Sequence, residues 1–200
     1  MAAHTTRQKN REARIRNMFI DAAKQHVAAG GLESLNVKTI AELAGYSPGT
    51  LYNYFNDFQD LLVQCGLSYL DDCARIVENV RKENISPIDR VIKPAMAYFA
   101  YFLDRPAIFR LLFLEDLGER VNSNLSSPET IPDIIRRARE SVEECASAGI
   151  IAPEEIELVL GLVDNTIHGN LFFYMNKRLP LSPQELIIKT ELELGYLFYK

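Results

Sequence analysis

The sequence contains no tryptophan and only three histidines and three cysteines in 200 residues. That scarcity limits its chemistry. Cys65, Cys73 and Cys145 are an odd number at no metal-ligand spacing. Cys65 and Cys73 are eight residues apart, which on one helix is ~12 Å, too far for a disulfide. All three read as buried small hydrophobes. His4, His26 and His168 form no metal or triad spacing, and His168 follows Asp164 by four residues, the spacing of an ordinary surface pair. No glycine-rich phosphate loop follows a strand. The chain is therefore not expected to be an enzyme, and no catalytic residue, metal ligand or cofactor is assigned. No run reaches the ~18–20 apolar residues of a membrane span: Leu158–Val163 is a characteristic apolar stretch, and Asp164 ends it. Asp21 and Lys24 interrupt the only candidate for a signal-peptide core, so a cytoplasmic location without membrane association is expected. Hydrophobic residues at 48% and charged residues at 24% exclude a disordered chain.

Hairpin signals and sustained period-two alternation are also missing, and the apolar spacing is helical nearly throughout. Nine helices are predicted, near 11–29, 37–44, 48–55, 58–83, 87–103, 104–116, 131–148, 154–177 and 183–199. In the first, Ile15, Met18, Phe19 and Ala22 share a face, and Gly30-Gly31 stops it. Asn36 caps the second, which Gly45 ends after two turns. Ser47 caps the third, with Pro48 at the first helical position. Pro94 should kink the fifth helix or move its start later. Residues 117–130 read as a polar loop.

Charge is unevenly placed. The net value is −5, yet residues 1–24 hold Arg7, Lys9, Arg11, Arg14, Arg16 and Lys24 against Glu12 and Asp21, a balance of +4 that leaves −9 for the rest. A basic end on an acidic body suits an anionic partner met by that end alone. Two short helices joined by Gly45-Tyr46-Ser47 make a helix-turn-helix by spacing, and helices this short must pack on one another to be stable. On the third helix Leu51 and Phe55 face inward. Gly49, Thr50 and Asn53 face outward, with Tyr52 and Tyr54 on the flanks. Gly49 permits close backbone approach, while Thr50 and the tyrosine hydroxyls can donate to phosphate oxygens. Asn53 can make a bidentate contact to adenine or a single bond elsewhere, and the free N–H groups at Pro48–Thr50, behind the Ser47 cap, form a helix N-terminus that favours a phosphate.

The stretch TIAELAGYSPGTLYNYFNDFQDLL, within residues 11–62, resembles the DNA-binding domain of the tetracycline-repressor-like (TetR) family of bacterial transcription regulators. The resemblance implies a homodimer on a palindromic operator, recognition contacts from Gly49, Thr50, Tyr52, Asn53 and Tyr54, and support from Lys38. It also implies release from DNA by a small molecule bound in the C-terminal domain. Pro48 and Phe58 stand where the family often has lysines, so two positive charges are missing; either the arm at Arg7–Arg16 compensates or binding is weaker. The expected architecture is all-α, with a helix-turn-helix domain at 1–57 and a ligand-binding and dimerisation domain at 58–200. A second class of function stays open, in which this is an interaction module whose helix-turn-helix meets protein.

The last two helices are apolar on two sides. Near 154–177 one stripe holds Ile156, Val159, Leu160, Val163, Ile167 and Leu171, and another Leu158, Leu162, Asn165, Gly169 and Phe172. In the last helix Ile187, Leu194, Leu197 and Phe198 oppose Ile188, Leu192, Gly195 and Tyr199. Two apolar sides imply two partners, the domain core and a second subunit, without saying which side meets which. Tyr98, Phe99, Phe102, Phe109 and Phe113 are candidate lining for an apolar effector, with Tyr98 and Asn165 as polar contacts. The sparse basic residues on those faces point to an apolar, aromatic or amphipathic ligand, not a sugar or a phosphate.

Overall fold

A computed structural model describes residues 2–30, 32, 34–81, 85–115 and 133–198, with side chains from residue 7 onward. The stretch 117–130, Gly31, Tyr199 and the side chain of His4 lie outside the described residues. Among the described residues there are nine α-helices and no strand: α1 (Ala2–Gly30), α2 (Val37–Ala44), α3 (Pro48–Leu51), α4 (Phe58–Arg81), α5 (Pro87–Leu103), α6 (Pro106–Phe113), α7 (Asp133–Ser147), α8 (Ile156–Met175) and α9 (Pro183–Tyr196). A 3-10 turn, Pro153–Glu155, leads into α8. None of these helices is long and apolar enough to cross a membrane.

Two elements, α1 and α3, differ from the reading of the sequence, while α5 keeps the span read from it. α1 begins at Ala2, not near residue 11, so the basic arm is part of the helix. α3 stops at Leu51; the chain turns through Tyr52–Tyr54, with Tyr54 and Phe55 N–H donating to the Leu51 carbonyl at 2.9 and 3.0 Å. Tyr, Asn, Tyr and Phe are all mediocre helix formers, so little holds a further turn there. α5 starts at Pro87, where the Ser86 hydroxyl accepts from Asp89 N–H at 3.1 Å, and runs through the buried Pro94. Proline at the first turn needs no donor, and the cap sets the start before Pro94 can delay it.

The chain forms two compact units, residues 1–70 with 107–124, and 71–106 with 125–200. In the first, Ile15, Phe19, Ala23 and Val27 of α1 are buried with Ile40, Ala41, Leu51, Phe55 and Leu61. In the second, Val91, Phe99 and Phe102 of α5 are buried, as are Val142 and Cys145 of α7 and Leu186 and Leu194 of α9. Leu186, fully buried, belongs to neither stripe assigned from the sequence. The structure resolves which stripe of α8 faces its own core: Val159, Val163, Ile167 and Leu171 are buried, whereas Leu158, Leu162 and Phe172 are exposed. On α9, Leu194 and Phe198 turn inward and Ile188 and Leu192 outward. Asn170 Nδ2 joins the two helices by donating to Thr190 Oγ1 at 3.1 Å and Glu193 Oε2 at 2.7 Å, and Lys189 Nζ donates to Asn170 Oδ1 at 2.9 Å.

The cysteines are all buried and free. Burial pushes the Cys65 thiol up to about 12, against a smaller opposing pull from Lys24. Cys73 is likewise pushed up to about 12, with Arg105 opposing, and Cys145 is raised by burial. A thiolate is the reactive form, so these groups should be inert while the chain is folded. Titration with a thiol reagent at pH 8 should therefore proceed only as fast as the protein opens and should run to completion in denaturant. Rapid modification of a thiol in the native protein would contradict this burial.

Candidate nucleic-acid interface

The interface is assembled by local rules around α2, the following turn and α3, all in the first unit. The Asn36 carboxamide oxygen accepts from Thr39 N–H at 3.0 Å and starts α2. Gly45 ends it with φ +79°, a left-handed conformation that a side chain would strain. Its N–H donates to Glu42 O at 3.1 Å, and Tyr46 N–H reaches back to Ala41 O at 2.8 Å, the paired bonds of a Schellman stop. Ser47 stands at the cap position of α3, but its hydroxyl pairs with Thr50 Oγ1 at 2.9 Å instead of capping a backbone N–H. Thr50 N–H donates to Ser47 O at 3.0 Å and Pro48 has none, so of the amides expected to be free that of Gly49 is left for an outside acceptor.

Phe19 of α1 fixes this arrangement from below. It is fully buried, and its ring lies 5.5 Å from Tyr46, 6.4 Å from Tyr54 and 6.1 Å from Phe55. Arg16 Nη1 donates to Tyr54 O at 2.9 Å, and its guanidinium lies 4.7 Å from the Phe55 ring centre. That bond holds the turn three residues beyond the end of α3. Reading Arg16 as part of a phosphate-binding arm is thus corrected. Its place one residue after Ile15 and three before Phe19, beside the buried face, is the signal that it is used internally. Lys24 is also engaged, donating to Ser68 Oγ at 3.0 Å and lying over the Tyr69 ring.

What remains outward is a small polar set. Lys38, Ser47, Pro48, Gly49, Tyr52 and Asn53 are exposed, Thr50 and Tyr54 are half-buried, and Leu51 and Phe55 are buried. The structure therefore brings all the sequence-predicted recognition residues onto one helix-turn-helix, with Tyr54 partly occupied against Phe19. Such a surface offers hydroxyl and amide donors, one backbone amide and the lysine of α2, the groups that contact phosphates and base edges.

Residues 19–65 match the model of the bacterial regulatory proteins, tetR family. The helix-turn-helix is a tetR-family domain. The chain is 24% identical over 158 residues, 74% of its length and 79% of the relative's, to the fatty acid metabolism regulator protein of Bacillus subtilis. Its fold is similar to that of the fatty acid degradation regulator FadR from Bacillus halodurans, at a TM-score of 0.71 and 20% identity over 90% of this chain and 93% of that one. It is also similar to FadR from Bacillus subtilis in complex with stearoyl-CoA, at 0.68 and 19% over 91% and 97%.

The candidate effector residues are more scattered than those of the tetR-family domain. Phe99 and Phe102 are fully buried in the second unit, and Phe109 is buried in the first, where Phe113 is exposed. Tyr98, half-buried on α5, packs 4.8 Å from the Phe102 ring, and its hydroxyl pairs with His168 Nε2 at 3.1 Å. His168 Nδ1 in turn meets Asp164 Oδ1 at 3.0 Å, and that bond holds the Asp164 carboxyl below its ordinary range. Burial, reinforced by Cys73 and Asp164, pushes the Tyr98 hydroxyl up, so it stays a neutral hydrogen-bonding group. Asn165 is exposed beside Leu158 and Leu162. The reading of His168 as a surface partner of Asp164 alone missed Tyr98, because α5 lies 70 residues earlier. Separately, an open recess of about 660 Å³ is lined by Phe172, Phe173, Asn176, Arg178 and Leu179.

Two glycines test the local geometry. A Cβ at Gly49 would meet nothing within 4 Å, whereas Gly45 holds a positive φ. Gly45→Ala should lower stability by about 1–2 kcal/mol. Gly49→Ala should leave it unchanged or raise it by ~0.5–1 kcal/mol. Urea unfolding of the two variants measures the difference, and equal stability would mean that the left-handed stop at Gly45 is wrong.

Proposed function

We propose that this chain is a ligand-responsive transcription regulator, most simply a repressor, that binds a palindromic operator as a homodimer. The observation that carries the reading is the exposed set Lys38, Gly49, Tyr52 and Asn53 on a helix-turn-helix that matches the tetR-family model. α3 enters the major groove in this reading, with Asn53 reading a base edge and Tyr52 and Lys38 positioned for phosphates. The functional division places DNA binding in residues 1–57 and effector binding and dimerisation in 58–200. Association is supported by the outer faces of α8 and α9. Leu158, Leu162, Phe172, Ile188, Leu192 and Tyr196 are all exposed, Leu192 by 69% and Tyr196 by 77%, a larger apolar display than an isolated surface usually keeps.

The effector in this reading carries a long acyl chain. The aromatic residues Tyr98, Phe99 and Phe102 supply apolar surface, and Tyr98 and His168 supply a polar pair beside it. The relative from Bacillus subtilis was crystallised with stearoyl-CoA, and a fatty acid or its thioester agrees with the apolar ligand class expected from the sequence. Phosphates of a thioester head group would have to sit away from these faces. Any such ligand must bind the DNA-free state better than the DNA-bound one, since equal affinity shifts nothing.

Operator duplexes selected from a random pool provide the test. Asn53→Ala should cost about 1–3 kcal/mol on the selected site and relax preference at one base pair. Tyr52→Phe should weaken all sequences alike. Leu192→Glu should yield monomers that fold but lose the operator. Stearoyl-CoA or stearate should raise the melting temperature and weaken operator binding, and Phe102→Ala should alter that response more than it alters operator affinity. Selection that enriches no duplex, or binding indifferent to salt, would favour a protein partner for the helix-turn-helix. A parent that is monomeric at micromolar concentration would remove the dimer.

A further inference from the structure

Asn165 is the polar exception on the outer face of α8. The outer stripe reads Leu158, Leu162, Asn165, Gly169 and Phe172, at alternating steps of four and three, with Asn165 in the middle. Asn165 is exposed, and its carboxamide has no hydrogen-bond partner among the described residues. Five residues on, Asn170 faces inward and is bonded to Thr190, Glu193 and Lys189. An outward carboxamide is also badly placed to orient an effector held by Tyr98 and Phe102, the role expected for it from the sequence. Gly161 and Gly169 flank Asn165 at equal distance. A Cβ at either would meet nothing within 4 Å, so neither glycine is required by packing inside the chain. Glycine inside a helix is unfavourable relative to alanine. What the two positions supply is an outer surface without side chains, on both sides of one carboxamide.

We propose that Asn165 is the self-recognition residue of this chain: it sits on a twofold axis where α8 crosses α8 of a second copy antiparallel, and the two carboxamides bond each other. This rests on the homodimer proposed above and names its axis and its selecting group. A carboxamide carries a donor and an acceptor side by side, so two of them related by a twofold axis close a ring of two N–H···O bonds. The stripe is complementary to itself about the same point. Reversed about Asn165, it brings Leu162 opposite Gly169 of the partner subunit, a large side chain against a bare backbone, and Leu158 opposite Phe172 of the partner subunit. A parallel pairing would instead set leucine on leucine and glycine on glycine, which leaves a gap at one level and crowding at another. At the ~200 Å² of a large residue, the exposed fractions of the six outer apolar residues named above leave roughly 650 Å² on each copy, near the ~800 Å² that a stable interface takes from each partner. A different protein seated on this face would have to match the carboxamide or leave it desolvated and unbonded, so Asn165 selects for a second copy of this chain at some cost in affinity.

The test is sedimentation of full-length variants, alone and mixed, at neutral pH. Asn165→Asp and Asn165→Lys change an exposed residue, and far-UV circular dichroism verifies that each folds. Either variant alone should form dimers with roughly a hundredfold lower affinity than the parent, because like charges would meet across the axis. An equimolar mixture of the two should recover dimers, since an acid then faces a base. Orientation is read by oxidative cross-linking, in which the buried native thiols take no part. Chains carrying Leu158→Cys should link to chains carrying Phe172→Cys and not to their own kind. Charged variants that dimerise as the parent does overturn the axis while leaving the dimer standing. A mixture that stays monomeric does the same, because the two side chains then do not face each other. Leu158→Cys that links to itself and not to Phe172→Cys means a parallel pairing and overturns the arrangement. A parent that is monomeric at micromolar concentration removes this pairing and the dimer together.

Discussion

Phe19 is the residue around which three short segments of the N-terminal unit are organised. α2 has eight residues and α3 four, and neither length is stable in isolation. They persist because one fully buried ring on the long α1 meets Tyr46 in the turn between them and Tyr54 and Phe55 after the second. Burying a side chain of this size stabilises by about 1.5–3 kcal/mol, and paired aromatic rings add ~0.5–1.5 kcal/mol beyond area. The ring thus fixes where α3 begins and where it ends. Arg16 completes the job by donating to the Tyr54 carbonyl. Exposure of Gly49, Tyr52 and Asn53 is a consequence: once Leu51 and Phe55 are held inward on a single turn and a half of chain, the residues between them have nowhere else to point.

The same constraint explains what the sequence made legible. Helix existence followed from apolar spacing, and the turn from Gly45, whose left-handed conformation few other residues adopt. The candidate recognition residues were legible because both Leu51 and Phe55 are large and apolar and leave the remaining faces polar. Less visible were features set by tertiary partners. The bond from Arg16 to the carbonyl of Tyr54, 38 residues away, leaves no periodic signal. The early part of α1 gave no such signal: residues 7–14 are exposed, and no amphipathic pattern marks that part of the helix.

The second unit was less readable for a different reason. α8 and α9 are apolar on two sides, so periodicity identifies both stripes without ranking them. In the structure the ranking comes from neighbours. Val159, Val163, Ile167 and Leu171 are taken into the core with Leu186 and Leu194, and the other stripe is left outside. The candidate effector residues suffered from the same ambiguity. An aromatic residue in a helix can fill a core or line a cavity, and Phe99 and Phe102 are fully enclosed here. The Tyr98–His168–Asp164 chain was hidden because its members come from helices far apart in sequence, α5 and α8.

The polar network between α8 and α9 bears directly on the proposed association. Asn170 and Thr190 are buried, and a buried carboxamide left without partners would cost about 1–3 kcal/mol. Asn170 instead donates to Thr190 and Glu193 and accepts from Lys189, which also pairs with Glu193 at 2.5 Å. Apolar stripes alone tolerate sliding, because one leucine fits the groove of another at several offsets. This network disfavours it, since moving α9 by one turn would bring Leu186 or Leu194 to the place of Thr190 and cost Asn170 a partner. A single register of α9 on α8 follows, and with it a single arrangement of Leu158, Leu162, Ile188 and Leu192 on the outer face. A self-complementary interface needs that uniqueness, because every positional error in one copy is repeated in the other. The hydrogen bonds within each chain thereby specify how two chains would meet, although none of them crosses the proposed interface.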